Sequence, residues 1–165
     1  MVDTGVTTET AQGLVFAKIA GGWLAIGHRP GARAIKRLPS AGVTHVITVL
    51  SEGEGAPALE ASVRAVGLQW IWLPLGSTKN LPARAKPEIR RALEATAEAL
   101  GTGGRLYLHC SAGLHRTGMI AAALLFHLGY SEERVLATIS AMRPLTASEM
   151  GAARLEWASS FAVPG

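Results

Sequence analysis

Residues 105–128 constrain this chain more than any other segment. A short run of strand formers, Arg105-Leu-Tyr-Leu-His109, leads through a glycine-containing loop into residues 117–128, a nearly unbroken apolar stretch with the composition of a buried helix. The loop between them reads His109-Cys-Ser-Ala-Gly-Leu-His-Arg-Thr-Gly118. At such a strand-to-helix turn, successive backbone N–H groups and the positive end of the helix dipole can all face one anion. That same field favours the thiolate of a cysteine placed within it. The only cysteine of the chain, Cys110, stands there, with five residues between it and Arg116. The segment is therefore read as a phosphate cradle that contains a nucleophile.

His-Cys, five residues, Arg, Ser or Thr, then Gly is the signature of the cysteine-dependent protein tyrosine phosphatase superfamily, and residues 109–118 resemble it at every position. The resemblance implies a role for each. Cys110 would attack phosphorus to form a cysteinyl-phosphate that water hydrolyses, a covalent two-step route. Arg116 would grip phosphate oxygens with its planar fork. The backbone of Ser111, Ala112, Gly113, Leu114 and His115 would complete the phosphate-binding bowl. Thr117 would hydrogen-bond the sulfur and help it leave. His109 would brace the loop from below, and Gly113 and Gly118 would allow turns and close approaches that a side chain would block. Trp23-Leu-Ala-Ile-Gly27, a short helix and Gly42-Val-Thr-His-Val-Ile-Thr-Val-Leu50 are similar to the opening of the small dual-specificity branch. That likeness extends over residues 20–160.

One family feature is missing. The general acid of these enzymes is an aspartate roughly 30 residues before the cysteine, on a loop that here reads Trp70-Ile-Trp-Leu-Pro-Leu-Gly-Ser-Thr-Lys-Asn-Leu-Pro82. No carboxylate occurs between Glu60 and Glu88, and Asp3 is the only aspartate of the chain. General acid catalysis contributes roughly 100-fold to 10,000-fold, so its loss slows turnover without abolishing it and favours phenolic leaving groups such as phosphotyrosine. Glu52 and Glu54 follow the strand ending at Leu50, and strand carboxyl ends line the crevice that holds the ligand in a parallel sheet. Either could replace the acid, and Glu52, nearer the strand end, is the candidate chosen here; both could equally be surface charges of a solvated loop. Glu149 stands where related enzymes carry a water-positioning glutamine, although Thr146-Ala-Ser-Glu149 also reads as a capping box opening the last helix. Ser77, Thr78 and Lys79 could contact substrate.

At 165 residues with 48% apolar content, residues 13–165 are expected to form one catalytic domain with enough core to fold unaided, preceded by a flexible tail over 1–12. A single cysteine excludes an internal disulfide framework. Residues 1–12 do not resemble a secretory signal and no window of about 18 apolar residues occurs, which makes a cytoplasmic protein the expectation. The net charge of +4 suits an anionic ligand, but the positive residues are scattered, so nucleic acid is not an expected partner. His28, His45 and His127 stand alone with no metal-ligand spacing, and no cofactor is implied.

Strands are predicted near 14–19, 22–27, 43–50, 68–73 and 105–109. Helices are predicted near 31–41, 56–66, 83–100, 116–128, 131–142 and 146–161. This alternation predicts an α/β fold with a mostly parallel sheet of four to five strands flanked by helices. Trp70 and Trp72 share one face of a strand and read as core, and Arg143-Pro144 reads as a structural helix stop. The functional expectation is a phosphomonoester hydrolase acting on phosphotyrosine, in proteins or small aryl phosphates, with phosphoserine and phosphothreonine as further substrates. Three rivals stand beside it: a pseudophosphatase that only binds phosphate, a phosphatase of other phosphoesters such as phosphoinositides, and a rhodanese-like sulfur transferase. The absence of lysine at Ser111, Ala112 and Leu114 disfavours phosphoinositides. The Arg-Thr-Gly ending disfavours the transferase.

Overall fold

A computed structural model describes residues 5–76 and 86–164. It contains six strands, β1 (Thr8–Ala11), β2 (Leu14–Ile19), β3 (Gly22–Gly27), β4 (His45–Val49), β5 (Gln69–Leu73) and β6 (Arg105–His109), joined in one sheet of order β1-β2-β3-β6-β4-β5. The four strands β3, β6, β4 and β5 run parallel, and β1 and β2 add an antiparallel edge. The helices are α1 (Ala32–Arg37), α2 (Ala56–Ala65), α3 (Lys86–Gly101), α4 (His115–His127), α5 (Glu132–Met142), α6 (Pro144–Ser148) and α7 (Ala152–Ser159), with short 3₁₀ turns at Pro39–Ala41 and Glu52–Glu54.

The mixed α/β class and the mostly parallel sheet agree with the sequence expectation; the number of strands does not. Thr8–Ala11, assigned from sequence to a flexible tail, pairs with β2 from Thr8↔Ala17 to Ala11↔Leu14. Its polar composition hid it, because an edge strand exposes one face and needs few apolar residues. Glu9 Oε1 receives Arg105 Nη1 at 2.6 Å, and Arg105 lies over the Phe16 ring, 3.9 Å from its centroid, which ties the hairpin to the central strand.

Each face of the sheet buries its own cluster. Phe16, Ala25, Val46, Leu50 and Tyr107 point to the side covered by α1 and α2, with Trp70 and Trp72 packed against them. Ile19, Leu24, Ile47, Val49, Leu106 and Leu108 point to the side covered by α3, α4, α5 and α7. The alternation along β4 and β6 follows from the two-residue period of a strand. Helix α4 is buried from Thr117 to Phe126, which explains why its sequence is apolar all round rather than on one stripe. Ser131 caps α5 as expected, accepting the Arg134 N–H at 3.3 Å.

The last helical segment is a correction. Instead of one helix over 146–161 there are two, and Glu149 caps the C-terminus of α6 rather than closing an N-terminal capping box. Thr146 lies inside α6 and turns its hydroxyl to the Gly113 carbonyl, 2.7 Å away. Pro144 at the first turn of α6 initiates that helix.

Candidate active site

β6 ends at His109 and α4 begins at His115, so residues 110–114 form a loop between the carboxyl ends of the parallel strands and a helix N-terminus. Cys110 lies at its floor, 3% exposed, and the Gly113 N–H points to Cys110 Sγ at 3.3 Å. Above it opens a pocket of about 470 Å³ lined by Ser51, Glu54, Gly76, residues 110–112 and residues 114–116.

The bowl is held from outside, carbonyl by carbonyl. His109 Nδ1 bonds the Cys110 carbonyl at 2.9 Å, and the Arg29 N–H takes the Ser111 carbonyl at 2.9 Å. Arg143 Nη1 donates to the carbonyls of Ala112 at 3.1 Å and Gly113 at 2.7 Å. Thr146 Oγ1 adds a second bond to Gly113 O, and the Leu114 carbonyl accepts from Gly118 N at 3.0 Å, already in helical register. In a planar trans peptide the N–H points opposite to the preceding C=O. Pinning these carbonyls outward therefore turns the N–H groups of Ser111, Ala112, Gly113, Leu114 and His115 inward, where an anion would sit. Gly113 takes φ +73°, and an added Cβ would overlap the Gly27 carbonyl and the Arg143 guanidinium. At Gly118 a Cβ would come within 3.3 Å of Thr146 Cγ2 on α6, so the missing side chain lets α4 and α6 approach closely.

Arg116 is oriented as tightly as the loop. Glu54 meets its terminal edge with two bonds, Nη1 to Oε1 at 2.7 Å and Nη2 to Oε2 at 2.9 Å, and the Leu75 carbonyl takes Nη1 at 3.0 Å. A guanidinium has five N–H donors. These bonds use both Nη1 hydrogens and one on Nη2, which leaves the adjacent Nε and Nη2 hydrogens as a fork suited to two oxygens of a phosphate. Glu54 is itself built in: Ser51 donates from N at 3.0 Å and Oγ at 2.9 Å, while Arg29 donates to the Glu54 carbonyl. The Arg116 hydrogen bonds, ahead of those from Ser51, hold the Glu54 carboxyl down at about 2, so it is ionised at neutral pH and is not a proton donor.

Of the two glutamates singled out in the sequence, the structure thus brings Glu54 to the arginine, not Glu52. Glu52 is exposed and lines no part of the pocket. Glu54 is selected by the Glu52–Glu54 3₁₀ turn, whose third residue folds back onto Ser51; a Ser-x-x-Glu capping box starting at Ser51 was a legible signal for it. His115 lines the pocket and lies 3.8 Å from Glu149. Thr117 Oγ1 is buried with no hydrogen-bond partner among the described residues. Ser77, Thr78 and Lys79 lie outside the described residues. The preceding part of that loop contributes the Leu75 carbonyl and Gly76, and no side-chain acid. Arg143, taken from sequence as a helix stop, proves to be the main outer support of the loop, and Arg29 was not singled out at all. Trp70 and Trp72 pack against the core and do not reach the pocket. Among the described residues no cluster of His, Cys, Asp or Glu could hold a metal, and no helix is long and apolar enough to cross a membrane.

A buried thiol beneath amides turned inward, with an arginine beside it at the end of a parallel sheet, is an arrangement suited to holding a phosphate against a nucleophile. The sequence agrees: residues 14–159 match the family described as Swiss Army Knife protein, DSP-PTPase phosphatase domain, and the chain belongs to that family. No curated protein sequence matches the chain significantly. Among solved structures, kinase associated phosphatase is similar with a TM-score of 0.70 at 18% identity, covering 84% of this chain and 85% of that one. PTPMT1 in complex with PI(5)P gives 0.68 at 21% identity, with coverage of 84% and 88%. A cysteine-to-serine form of TpbA from P. aeruginosa in complex with pTyr gives 0.58 at 16% identity, covering 96% of both chains. At these identities the likeness is one of fold.

Proposed function

We propose that this protein hydrolyses phosphomonoesters through a cysteinyl-phosphate, with phosphotyrosine or a similar aryl phosphate as its preferred substrate. The Cys110 thiolate attacks phosphorus, the bond from phosphorus to the leaving oxygen breaks, and the phosphoryl group passes to sulfur. Water then attacks phosphorus, the S–P bond breaks, and inorganic phosphate leaves with the thiolate restored. The inward amides of residues 111–115 and the free Nε/Nη2 edge of Arg116 stabilise the charge on the transferring phosphoryl oxygens. Thr117 supplies its otherwise unsatisfied hydroxyl to the sulfur as it departs. His115 lies at the rim of the pocket, and Glu149 beside it is the residue read as orienting the hydrolytic water.

The observation that carries this reading is that Arg116, held by Glu54, lines the same pocket as Cys110. Simple anion binding needs neither the buried thiol nor the orphaned Thr117 hydroxyl, which disfavours a pseudophosphatase. The aryl preference follows from the missing acid. Glu54 is committed to Arg116 as an anion, Glu52 lies away from the pocket, and the segment 61–87 holds no carboxylate. Leaving groups that depart unprotonated are then favoured. PI(5)P is bound by the related PTPMT1 and pTyr by TpbA; the loop here lacks lysine, which favours the second kind of ligand.

The test is a rapid acid quench during turnover of two aryl phosphates with good and poor leaving groups, followed by mass spectrometry. Phosphate on Cys110, absent from Cys110→Ser, together with rates that fall steeply as the leaving group worsens, is the expected result. Turnover without a phosphoenzyme, or equal rates for both leaving groups, would overturn it.

A further inference from the structure

Three hydrogen bonds run sideways across the sheet from β5 to the phosphate loop. Trp70 Nε1 donates to Thr48 Oγ1 at 2.8 Å, Thr48 Oγ1 bonds His109 Nε2 at 2.8 Å, and His109 Nδ1 bonds the Cys110 carbonyl at 2.9 Å. Thr48 and His109 are fully buried and are direct cross-strand partners in the parallel register of β4 and β6. Trp70 reaches Thr48 from the neighbouring strand β5, with its ring stacked on Trp72 at 5.7 Å.

The proton positions follow from donor chemistry. An indole N–H can only donate, and a carbonyl can only accept. Thr48 oxygen therefore receives the Trp70 proton, and Nδ1 of His109 must carry a hydrogen to reach the Cys110 carbonyl. If Nε2 were protonated as well, Thr48 would accept from both sides and its own proton would lack a partner in this relay. The arrangement that satisfies every group has Thr48 donating to a bare Nε2.

We propose that Trp70 is a positioning residue of the phosphate loop: acting through Thr48 it locks His109 as the neutral Nδ1–H tautomer, which sets the direction of the Cys110 carbonyl and hence of the Ser111 N–H that faces bound phosphate. The opposite tautomer would put the Nδ1 lone pair against the carbonyl oxygen and rotate that peptide. The inference rests on the phosphate-binding reading given above. The groups facing His109 are His28 and Arg29 after β3, Arg116 on α4, Cys110 beside it, and Tyr107 stacked on its ring at 5.9 Å. Arg29 and Arg116 are cationic and oppose an imidazolium, in the same direction as the relay, whereas the Cys110 thiolate of the proposed mechanism would favour one.

The experiment is a ¹⁵N spectrum of histidine-labelled protein against pH, with inorganic phosphate binding measured on the same samples, for wild type, Trp70→Phe, Thr48→Val and Thr48→Ser. Trp70→Phe keeps an aromatic ring beside Trp72 and removes the donor. In wild type the His109 Nδ1 signal should be of the protonated kind and Nε2 of the bare kind. In Trp70→Phe and Thr48→Val the ring should admit the other tautomer or a second proton, and phosphate should bind about fivefold more weakly, the scale of one hydrogen bond. Thr48→Ser should match wild type. A protonated Nε2 in wild type, an unchanged ring in Trp70→Phe, or a Thr48→Ser effect as large as that of Thr48→Val would overturn the relay. A wild type with the expected tautomer but no phosphate binding would uphold the relay and overturn the phosphate-binding reading instead.

Discussion

Glu54 and Arg116, 62 residues apart in the chain, meet as two parallel hydrogen bonds of 2.7 and 2.9 Å, and this pairing fixes the orientation of a long flexible side chain on the pocket lining. Glu54→Gln keeps the shape but removes the charge and one acceptor oxygen. Hydrogen bonds to charged groups contribute about 1.5–3 kcal/mol, so kcat/KM on an aryl phosphate should fall about 10-fold to 100-fold, whereas Glu52→Gln should leave it near wild type. Steady-state kinetics on the two variants separates the glutamates.

The same pair gives a signature in acid. Because the folded carboxyl of Glu54 sits at about 2, below its ordinary value of 4.5, its contribution to stability is complete above about 4.5 and is lost as pH falls towards 2. Denaturant melts between those limits should show wild type losing more stability on acidification than Glu54→Gln.

His109 acts in a higher window. Burial lowers its pKa from 6.5 to about 4, so between these values the unfolded chain binds the extra proton and the fold does not. Stability should therefore decline as pH falls from about 6.5 towards 4, by up to about 3 kcal/mol. A His109→Gln variant, although destabilised at neutral pH, should show a shallower slope across that interval in urea titrations.

Arg143 Nη1 holds two loop carbonyls from behind. Arg143→Met should weaken inorganic phosphate binding by about tenfold, since two donors to backbone acceptors are removed, while the far-ultraviolet circular dichroism spectrum stays that of the wild type. Isothermal titration checks the first expectation and the circular dichroism spectrum of the variant the second.

Gly113→Ala should be the most damaging of the single-methyl changes. It combines a left-handed backbone with overlap against Gly27 and Arg143, so phosphate binding should be lost and stability should drop by about 1–3 kcal/mol. A variant that binds phosphate normally would show that the loop tolerates another path.

What the sequence determined by itself was local. The cradle of residues 109–118, the buried helix behind it and the alternation of strands and helices are written in contiguous patterns of type and spacing, and each reappears in the fold. What only the tertiary structure decided were partnerships between distant segments. Polar Thr8–Ala11 becomes a strand because β2 offers it a ladder. Glu54 rather than Glu52 reaches Arg116 because a 3₁₀ turn sets its direction. Arg143, which ends α5 as expected, and Thr146 also reach the loop because α6 packs against the start of α4. Trp70 and Thr48 touch His109 through strand register, and neighbouring strands in a sheet carry no sequence separation that a single chain reveals. Hydrogen bonds between side chains and far-off carbonyls leave no periodicity to read, so the cysteine loop was legible in the sequence and the side chains that hold it were not.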